Sequence, residues 1–382
     1  MKSEAKLTFF EATSIIIGHG VGAGILSVPY IASRNNVFDM CVIFVLVYGI
    51  NLLLHFMIAE LSYNNGGMQF IKCFENDLFI GKYKKIMAAA AFILLGFSVI
   101  VNVSGFITGG GAVLESWLGI DYRIGMTIFF VAAALVVFFG LKLVGIFEKF
   151  AVIFMLAVIV ILIGASFKSG RADFASKFIA WGNVLALYSI ISFSLSAVMS
   201  VPQVVKGLDG NIKKIRGAIA LGTGINLMLI VLITFTTLYC VGNNVTQNGA
   251  IVDMSAKIGG WVSVIGYIFS LLALATSFWA NTLNLRDVVE EQLSLGNKKS
   301  WLLASIPCLG IALLGLTSFV GFARLASVVQ VLTGVGVILA YNHSRKGKKE
   351  NTICGKFGSI PFQIIVIAGS LIATVGALIK IV

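Results

Sequence analysis

Runs of about 20 predominantly apolar residues recur along nearly the whole chain, separated by short polar segments. A helix of that length crosses the hydrocarbon core of a bilayer, whereas the strands of a membrane barrel are about half as long and alternate in polarity. The chain is 58% hydrophobic and only 12% charged, too apolar for a soluble protein of 382 residues. These features predict an all-α integral membrane protein whose solvent is the lipid bilayer.

The apolar runs predict eleven transmembrane helices. Most of the 28 lysine and arginine residues fall in short loops on one side, which marks that side as cytoplasmic. The net charge of +12 therefore reflects topology and not nucleic acid binding. We expect a multi-pass protein of the cytoplasmic (inner) membrane with a cytoplasmic N-terminus and an external C-terminus. The predicted spans are 8–31, 39–62, 86–110, 123–141, 147–167, 182–203, 217–241, 259–283, 301–318, 325–341 and 359–380.

The first five predicted spans match the next five when 173 is added to their residue numbers. The segments 26–31 and 199–204 align in this register, and both contain Ser-Val-Pro. Because five is odd, the two halves would cross the membrane in opposite directions, as in the inverted repeats of many secondary transporters. The sequence thus predicts a single transmembrane domain over 1–382, with a first repeat at 1–168, an inverted repeat at 180–342 and an extra helix at 358–382.

Four glycines at alternate positions interrupt the first apolar run, and each disfavours a helix interior by about 1 kcal/mol relative to alanine. An unwound segment at membrane depth is tolerated where it lines a cavity, and its free N–H groups suit a carboxylate. Close packing of small residues against a neighbouring helix is the alternative. From this segment we expect Gly20, Gly22, Ala23 and Gly24 to bind substrate.

Three serines alternate with other residues in the sixth predicted span, at Ser192, Ser194 and Ser196, with Phe193 among them. Their hydroxyl groups suit an unwound turn whose released carbonyls would face an ammonium group. Hydrogen bonding of the serines to the preceding turn of an intact helix is the alternative. We expect Phe193, Ser194 and Ser196 in the substrate site, together with Asn102 of the third span.

The predicted spans carry no acidic or basic residue near mid-depth, although such residues usually mark ionic sites in membranes. The opposed ends of half-helices can bind the carboxylate and the ammonium of a zwitterion without a charged side chain. We therefore expect a neutral amino acid as substrate. The sequence offers no carboxylate pair, metal-binding histidine motif or nucleophile with a base, so we expect neither an enzyme nor an organic cofactor, and no obligate protein partner is implied.

The segment Gly22–Tyr30 (GAGILSVPY) resembles the first-helix signature of the amino acid/auxin permease group, which includes bacterial tyrosine and tryptophan permeases. This group is part of the amino acid, polyamine and organocation transporter superfamily. The resemblance implies a LeuT-like bundle of 5+5 inverted repeats with broken helices 1 and 6, plus an eleventh helix. It also implies secondary active transport by alternating access.

Two further segments are similar to sodium-coupled relatives of this superfamily: Phe193–Ser196 to their gate and substrate segment, and Ala273–Ser277 to their eighth-helix sodium ligands. Carbonyl and hydroxyl oxygens suit a hard cation such as sodium. Packing of threonine and serine between helices is the alternative. The sodium ligands implied by the resemblance are Gly18, Val21, Ala273, Thr276 and Ser277.

His19 stands where the sodium symporters usually carry asparagine, so the resemblance implies one sodium ion at most. Proton-coupled relatives can place a lysine in the middle of the fifth helix, and this chain has none there, which favours sodium. A coupling proton carried by His19 is the alternative, and a neutral, hydrogen-bonded histidine is a third interpretation.

The resemblance also suggests an internal gate in which Lys6 pairs with Asp287 or Glu291, although such charges are often merely solvated. The sequence as a whole predicts a symporter that moves a neutral amino acid together with one sodium ion. The competing functions are a proton-coupled permease and a non-transporting nutrient sensor or channel on the same scaffold.

Overall fold

The computed structural model describes residues 6–79, 81–174, 180–247, 249–346 and 353–380. Helices make up the regular structure of these ranges, with one short 3-10 turn at Gly355–Gly358. The helices are α1 (Phe9–Ala32), α2 (Val37–Asn64), α3 (Phe70–Asp77), α4 (Lys84–Leu118), α5 (Tyr122–Phe138), α6 (Leu141–Ser169), α7 (Trp181–Leu195), α8 (Val201–Gly207), α9 (Ile212–Val241), α10 (Ala250–Ile258), α11 (Gly260–Leu293), α12 (Asn297–Leu313), α13 (Phe319–Ser327), α14 (Gln330–Ser344) and α15 (Ile360–Leu378).

Seven spans within the described ranges are long and apolar enough to cross a bilayer: α2, α4, α6, α9, α11, α13 with α14, and α15. The bent α1 makes an eighth, and α5 and α7 are apolar but shorter. Large apolar side chains such as Phe38 and Val160 are 76% and 70% exposed, as expected of surfaces that face lipid. The prediction of an all-α membrane bundle is confirmed.

The break predicted in the first span takes the form of a bend. Thr8 begins α1 with a reciprocal cap, in which Thr8 Oγ1 accepts from the Glu11 N–H and Glu11 Oε2 accepts from the Thr8 N–H. The segments Phe9–Val21 and Gly24–Ala32 then meet at 41°. The backbone stays helical through this bend, so the helix changes direction at the glycines and does not unwind into a loop.

The break predicted in the sixth span is confirmed, because α7 ends at Leu195 and α8 begins only at Val201. Two buried side chains from other helices bind the backbone released there. His55 Nε2 on α2 accepts the Ala197 N–H at 3.0 Å, and Asn226 Nδ2 on α9 donates to the Ser194 carbonyl at 3.1 Å. These contacts meet the requirement that every backbone polar group inside a membrane be satisfied within the protein.

A second interruption separates α13 from α14 at Val328 and Val329, and the sequence did not predict it. The two helices together form one apolar span. Ser98 Oγ on α4 donates to the Ala326 carbonyl at 3.2 Å, just before the interruption. The predicted tenth span is therefore a broken helix, and α4, the third predicted span, supports it at the interruption.

The extra helix α15 supplies the remaining contacts of this interruption. Thr374 Oγ1 donates to the Val328 carbonyl at 3.3 Å and accepts the Val331 N–H at 3.0 Å. Arg324 on α13 in turn donates to the Ala377 carbonyl at the end of α15 at 3.1 Å. The eleventh predicted helix is thus tied into the bundle at the point where the tenth is broken.

Replacing Thr374 by valine keeps the shape of the side chain but leaves the Val328 carbonyl and the Val331 N–H without this partner. We expect Thr374→Val to lower the unfolding free energy by about 1–3 kcal/mol. Thr374→Ser keeps the hydroxyl and should retain most of the stability. Thermal unfolding of the detergent-purified variants checks this expectation, and equal melting temperatures for the valine variant and the parent would contradict it.

Candidate functional site

One cavity lies where the interrupted helices meet inside the bundle. Its wall combines residues of α1, α2, α4, α7, α11, α14 and α15 with the segment between α7 and α8. The apolar part includes Ile50, Leu54, Phe106, Phe193 and Met199. The polar part includes His19, Asn102, Ser196, Asn281, Gln330 and Ser370. An apolar wall with a few polar groups is the usual composition of a site for a small organic molecule.

Three of the predicted substrate residues line this cavity, namely Asn102, Phe193 and Ser196. Ser194 does not line it. Its side chain is fully buried, and its hydroxyl donates to the Ile190 carbonyl of the preceding turn at 2.6 Å. For this serine the alternative interpretation, hydrogen bonding within its own helix, describes the structure.

Gly20 and Gly24 also lie outside the cavity wall, and both are closely packed against neighbouring helices. A methyl group at Gly20 would lie 2.1 Å from the Ser194 carbonyl oxygen and 2.1 Å from Asn226 Nδ2. At Gly24 it would lie 2.5 Å from Ile230 Cδ1. The four-residue spacing puts both glycines on one face of α1, pressed against α7 and α9. Gly22 and Ala23 lie at the bend, and the structure does not describe the surroundings of their side-chain positions.

Two histidines bind the broken sixth span. His19 Nδ1 lies 2.9 Å from Ser200 Oγ, and the ring also lines the cavity. His55 Nε2 accepts the Ala197 N–H, so that nitrogen carries no proton, and Nδ1–H donates to Thr223 Oγ1 at 3.2 Å. His55 is therefore neutral and structural. Sequence reasoning gave it no site role, and it missed Asn226 entirely.

Two of the predicted sodium ligands, Gly18 and Ser277, meet where α1 contacts α11. Ser277 Oγ donates to the Gly18 carbonyl at 2.9 Å and to the His19 carbonyl at 3.1 Å. Thr276 Oγ1 donates to the Ala273 carbonyl at 2.9 Å, one turn back on α11. Val21 is fully buried on α1, one turn after Gly18. The arrangement gathers hydroxyl and carbonyl oxygens, and sodium binding itself stays a prediction.

A chain of hydrogen bonds connects the cavity to these oxygens. Asn102 Nδ2 in the cavity wall donates to Asn281 Oδ1 at 3.2 Å. Asn281 Nδ2 donates to the Ser277 carbonyl at 2.8 Å, and Ser277 Oγ reaches the Gly18 carbonyl. A rearrangement of the cavity wall can therefore be transmitted to the candidate cation site through these hydrogen bonds, and the reverse is also possible.

Glu148 is a buried acidic residue that the sequence did not predict inside the bundle. The fifth span was predicted to begin at 147, which placed Glu148 at the membrane surface, but α6 begins at Leu141. Glu148 therefore lies about two turns inside the helix, and its side chain is fully buried. A methyl group at Gly18 would lie 1.6 Å from Glu148 Oε2, so the carboxylate occupies the space beside Gly18.

The structure gives Lys6 a different partner from the predicted gate residues. Lys6 Nζ lies 2.7 Å from Asp209 Oδ2, and the pair is exposed. The hydrogen bond and the opposite charge raise the pKa of Lys6 and lower the pKa of Asp209. Asp287 instead accepts from Arg286 at 2.7 Å, and Glu291 accepts the Gln69 N–H at 3.2 Å. The pairing of Lys6 with Asp209 depends on the conformation of the loop after α8, so the resemblance to a family could not predict it.

Comparison with known sequences connects this architecture to amino acid transport. The model of the tryptophan/tyrosine permease family matches residues 5–376. The chain is 23% identical over 392 residues to the "Tyrosine-specific transport system 1" of Haemophilus influenzae, a match that covers 95% of this chain and 95% of that protein. The match names aromatic amino acid permeases and does not name the wider amino acid/auxin grouping.

Two solved structures are similar in fold. Mhp1, a nucleobase-cation-symport-1 family transporter in a closed conformation with bromovinylhydantoin bound, has a TM-score of 0.73 at 13% identity, covering 98% of this chain and 92% of that chain. MhsT in complex with L-phenylalanine has a TM-score of 0.68 at 12% identity, covering 98% and 100%. The LeuT-like fold class is confirmed.

The packing of α1 can be tested with two helical glycines that differ only in their neighbours. Gly20→Ala would push a methyl group into the Ser194 backbone, whereas Gly49 on α2 has no atom within 4 Å of such a group. We expect Gly20→Ala to lower the melting temperature and Gly49→Ala to leave it equal or slightly higher, since alanine favours a helix interior. Thermal unfolding of both variants checks this, and an unchanged melting temperature for Gly20→Ala would show that α1 does not pack this closely.

Proposed function

Because the chain belongs to the tryptophan/tyrosine permease family, we propose that it carries an aromatic amino acid across the cytoplasmic membrane by alternating access. Membership makes it an amino acid permease and not an enzyme. The observation that carries the proposal is the cavity at the broken sixth span, where an apolar wall stands beside hydrogen-bonding groups. The backbone of the break would bind the amino and carboxylate groups, and the apolar wall would bind the ring.

Tyrosine is the proposed substrate, and Gln330 is the observation that supports it. Gln330 lines the wall, its Oε1 accepts from Ser192 Oγ at 3.0 Å, and its Nε2 has no hydrogen-bond partner among the described residues. A phenolic oxygen can accept a hydrogen bond from this amide, whereas the indole N–H of tryptophan only donates. The name of the Haemophilus influenzae relative and the L-phenylalanine bound to MhsT also support an aromatic substrate.

Sodium is the proposed coupling ion, at the oxygens of Gly18, Val21, Ala273, Thr276 and Ser277. The support is the contact of the Ser277 hydroxyl on α11 with the Gly18 carbonyl on α1, beside the Thr276 hydroxyl and the Ala273 carbonyl of α11, because oxygen donors of this kind suit a hard cation. Coupling to a proton through His19 is the second candidate, because this imidazole lines the cavity and hydrogen-bonds to the broken sixth span.

Alternating access would follow from two inverted repeats, 1–168 and 180–342, that move against each other. The order of the helices supports this division. A shift of 173 residues brings α1 onto α7 with α8, α4 onto α11, and α5 onto α12. Each half also places a short helix after its second long helix, α3 in one and α10 in the other. On this proposal the N-terminus is cytoplasmic and the helix at 358–382 follows the repeats.

Uptake of labelled tyrosine into proteoliposomes tests the function. We expect an inward sodium gradient to drive uptake, unlabelled tyrosine and phenylalanine to compete, and lysine and aspartate to compete poorly because the cavity wall carries no unpaired opposite charge for their side chains. Uptake driven only by a proton gradient would transfer the coupling to His19. No uptake under either gradient from folded protein would contradict the proposal.

The Gln330→Leu variant separates substrate recognition from general damage. It removes the amide that would bind the phenolic hydroxyl but keeps a side chain of similar size. We expect tyrosine uptake to fall by about fivefold or more, since a lost hydrogen bond to a substrate hydroxyl costs about 1 kcal/mol or more. Phenylalanine uptake by the same variant is the internal control, and an equal loss for both substrates would argue against this role.

A further inference from the structure

Glu148 is a buried acid without an ion-pair partner among the described residues. Its side chain is fully buried, and neither carboxylate oxygen has a hydrogen-bond partner in the described part of the chain. Two other buried acids show the usual situation: Glu11 pairs with Lys142 at 2.7 Å, and Glu60 accepts the Cys354 N–H at 2.8 Å. A buried carboxylate is normally paired with a positive charge or with hydrogen-bond donors, because its desolvation is costly.

The carboxylate lies where α1, α6 and α11 come together. Both of its oxygens approach Gly18 so closely that a methyl group there would lie 1.6 Å from Oε2 and 3.0 Å from Oε1. The Gly18 carbonyl is the one that Ser277 of α11 binds. The neighbouring residue, Phe147, contacts the ring of Trp279 on α11 edge-on, with the ring centres 5.7 Å apart.

Three basic side chains of α6 and α11, those of Lys142, Lys149 and Arg286, have other partners. Lys142 binds Glu11, and Lys149 Nζ lies 4.9 Å above the ring of Phe150. Arg286 binds Asp287 and the Val137 carbonyl. The charge of Glu148 is therefore not balanced by any of these three bases.

We propose that the Glu148 carboxylate is a direct ligand of the coupling cation, next to the oxygens of Gly18, Thr276 and Ser277. One carboxylate among neutral carbonyl and hydroxyl oxygens matches a monovalent hard cation, because the pair is then neutral inside the bundle. This inference rests on the proposed cation coupling and supplies the charge that the five neutral ligands lack. The absence of a side chain at Gly18 makes room for the carboxylate to reach the site.

Sodium binding by the full-length protein in nanodiscs is the direct test, with choline chloride keeping the ionic strength constant. The readouts are binding of radioactive sodium and the sodium-dependent rise in melting temperature. We expect Glu148→Gln to weaken the apparent sodium affinity by about tenfold or more, as changes at metal sites commonly do. Glu148→Asp keeps the charge at a shorter reach and should weaken sodium binding less than the glutamine variant does.

Glu60→Gln is the matched control, since Glu60 is also a buried acid but lies on α2, bound to the backbone before the 3-10 turn. It is expected to lower stability and to leave the sodium affinity unchanged. Size-exclusion chromatography establishes that each variant is folded. Should Glu148→Gln fail to fold, the aspartate variant decides, because an unchanged sodium affinity there would overturn the inference.

The outcomes separate this inference from the proposed function. Sodium binding that is equal in the parent and in Glu148→Gln overturns the ligand role, even where tyrosine uptake depends on sodium. No sodium binding by a parent protein that does transport tyrosine overturns it as well. Sodium binding that is lost in Glu148→Gln upholds the ligand role. If the parent protein binds sodium but neither binds nor transports tyrosine, only the proposed substrate is wrong.

Discussion

The structure depends on one constraint, which is that backbone groups released by a broken helix inside a bilayer need partners within the protein. The sixth span obtains them from His55 on α2 and Asn226 on α9. The tenth span obtains them from Ser98 and from Thr374 of the extra helix. Side chains distant in sequence thus hold open the two interruptions that shape the cavity.

The first helix brings the parts of the site together. Its glycines let it press against α7 and α9 on one face, while its Gly18 carbonyl is bound by Ser277 and its His19 ring lines the cavity. Because close-packed interiors do not deform continuously, a small shift of α1 moves all of these contacts together. A helix that contacts substrate cavity, candidate cation site and broken span at once is well placed to link them during transport.

Sequence reasoning predicted the bundle and the break in the sixth span, because hydropathy sets helix lengths and the repeat gave that break a register. It assigned Gly20 and Gly24 to substrate because glycine spacing alone cannot distinguish an exposed backbone from a close-packed one. Glu148 was missed because hydropathy places helix ends only to within a few residues, and here α6 begins earlier than predicted.

Other features had no local signal. The role of His55 is defined by an N–H in the interruption between α7 and α8, and the contacts of Thr374 are defined by an interruption that hydropathy does not reveal. The exposed pair of Lys6 and Asp209 joins residues far apart in sequence through the fold of a loop. These are long-range contacts, which no short sequence pattern encodes.

The proposed mechanism couples the cavity to the candidate cation site through Asn102, Asn281 and Ser277. The most direct measurement is the dissociation constant of tyrosine at zero and at saturating sodium, in the parent, in Asn281→Leu and in the control Asn51→Leu, whose amide donates instead to Val47 in its own helix. The account predicts that sodium tightens binding by about fivefold or more in the parent and in the control, and that Asn281→Leu brings the ratio close to one. A ratio of one in the parent, or an unchanged ratio in Asn281→Leu, would contradict it.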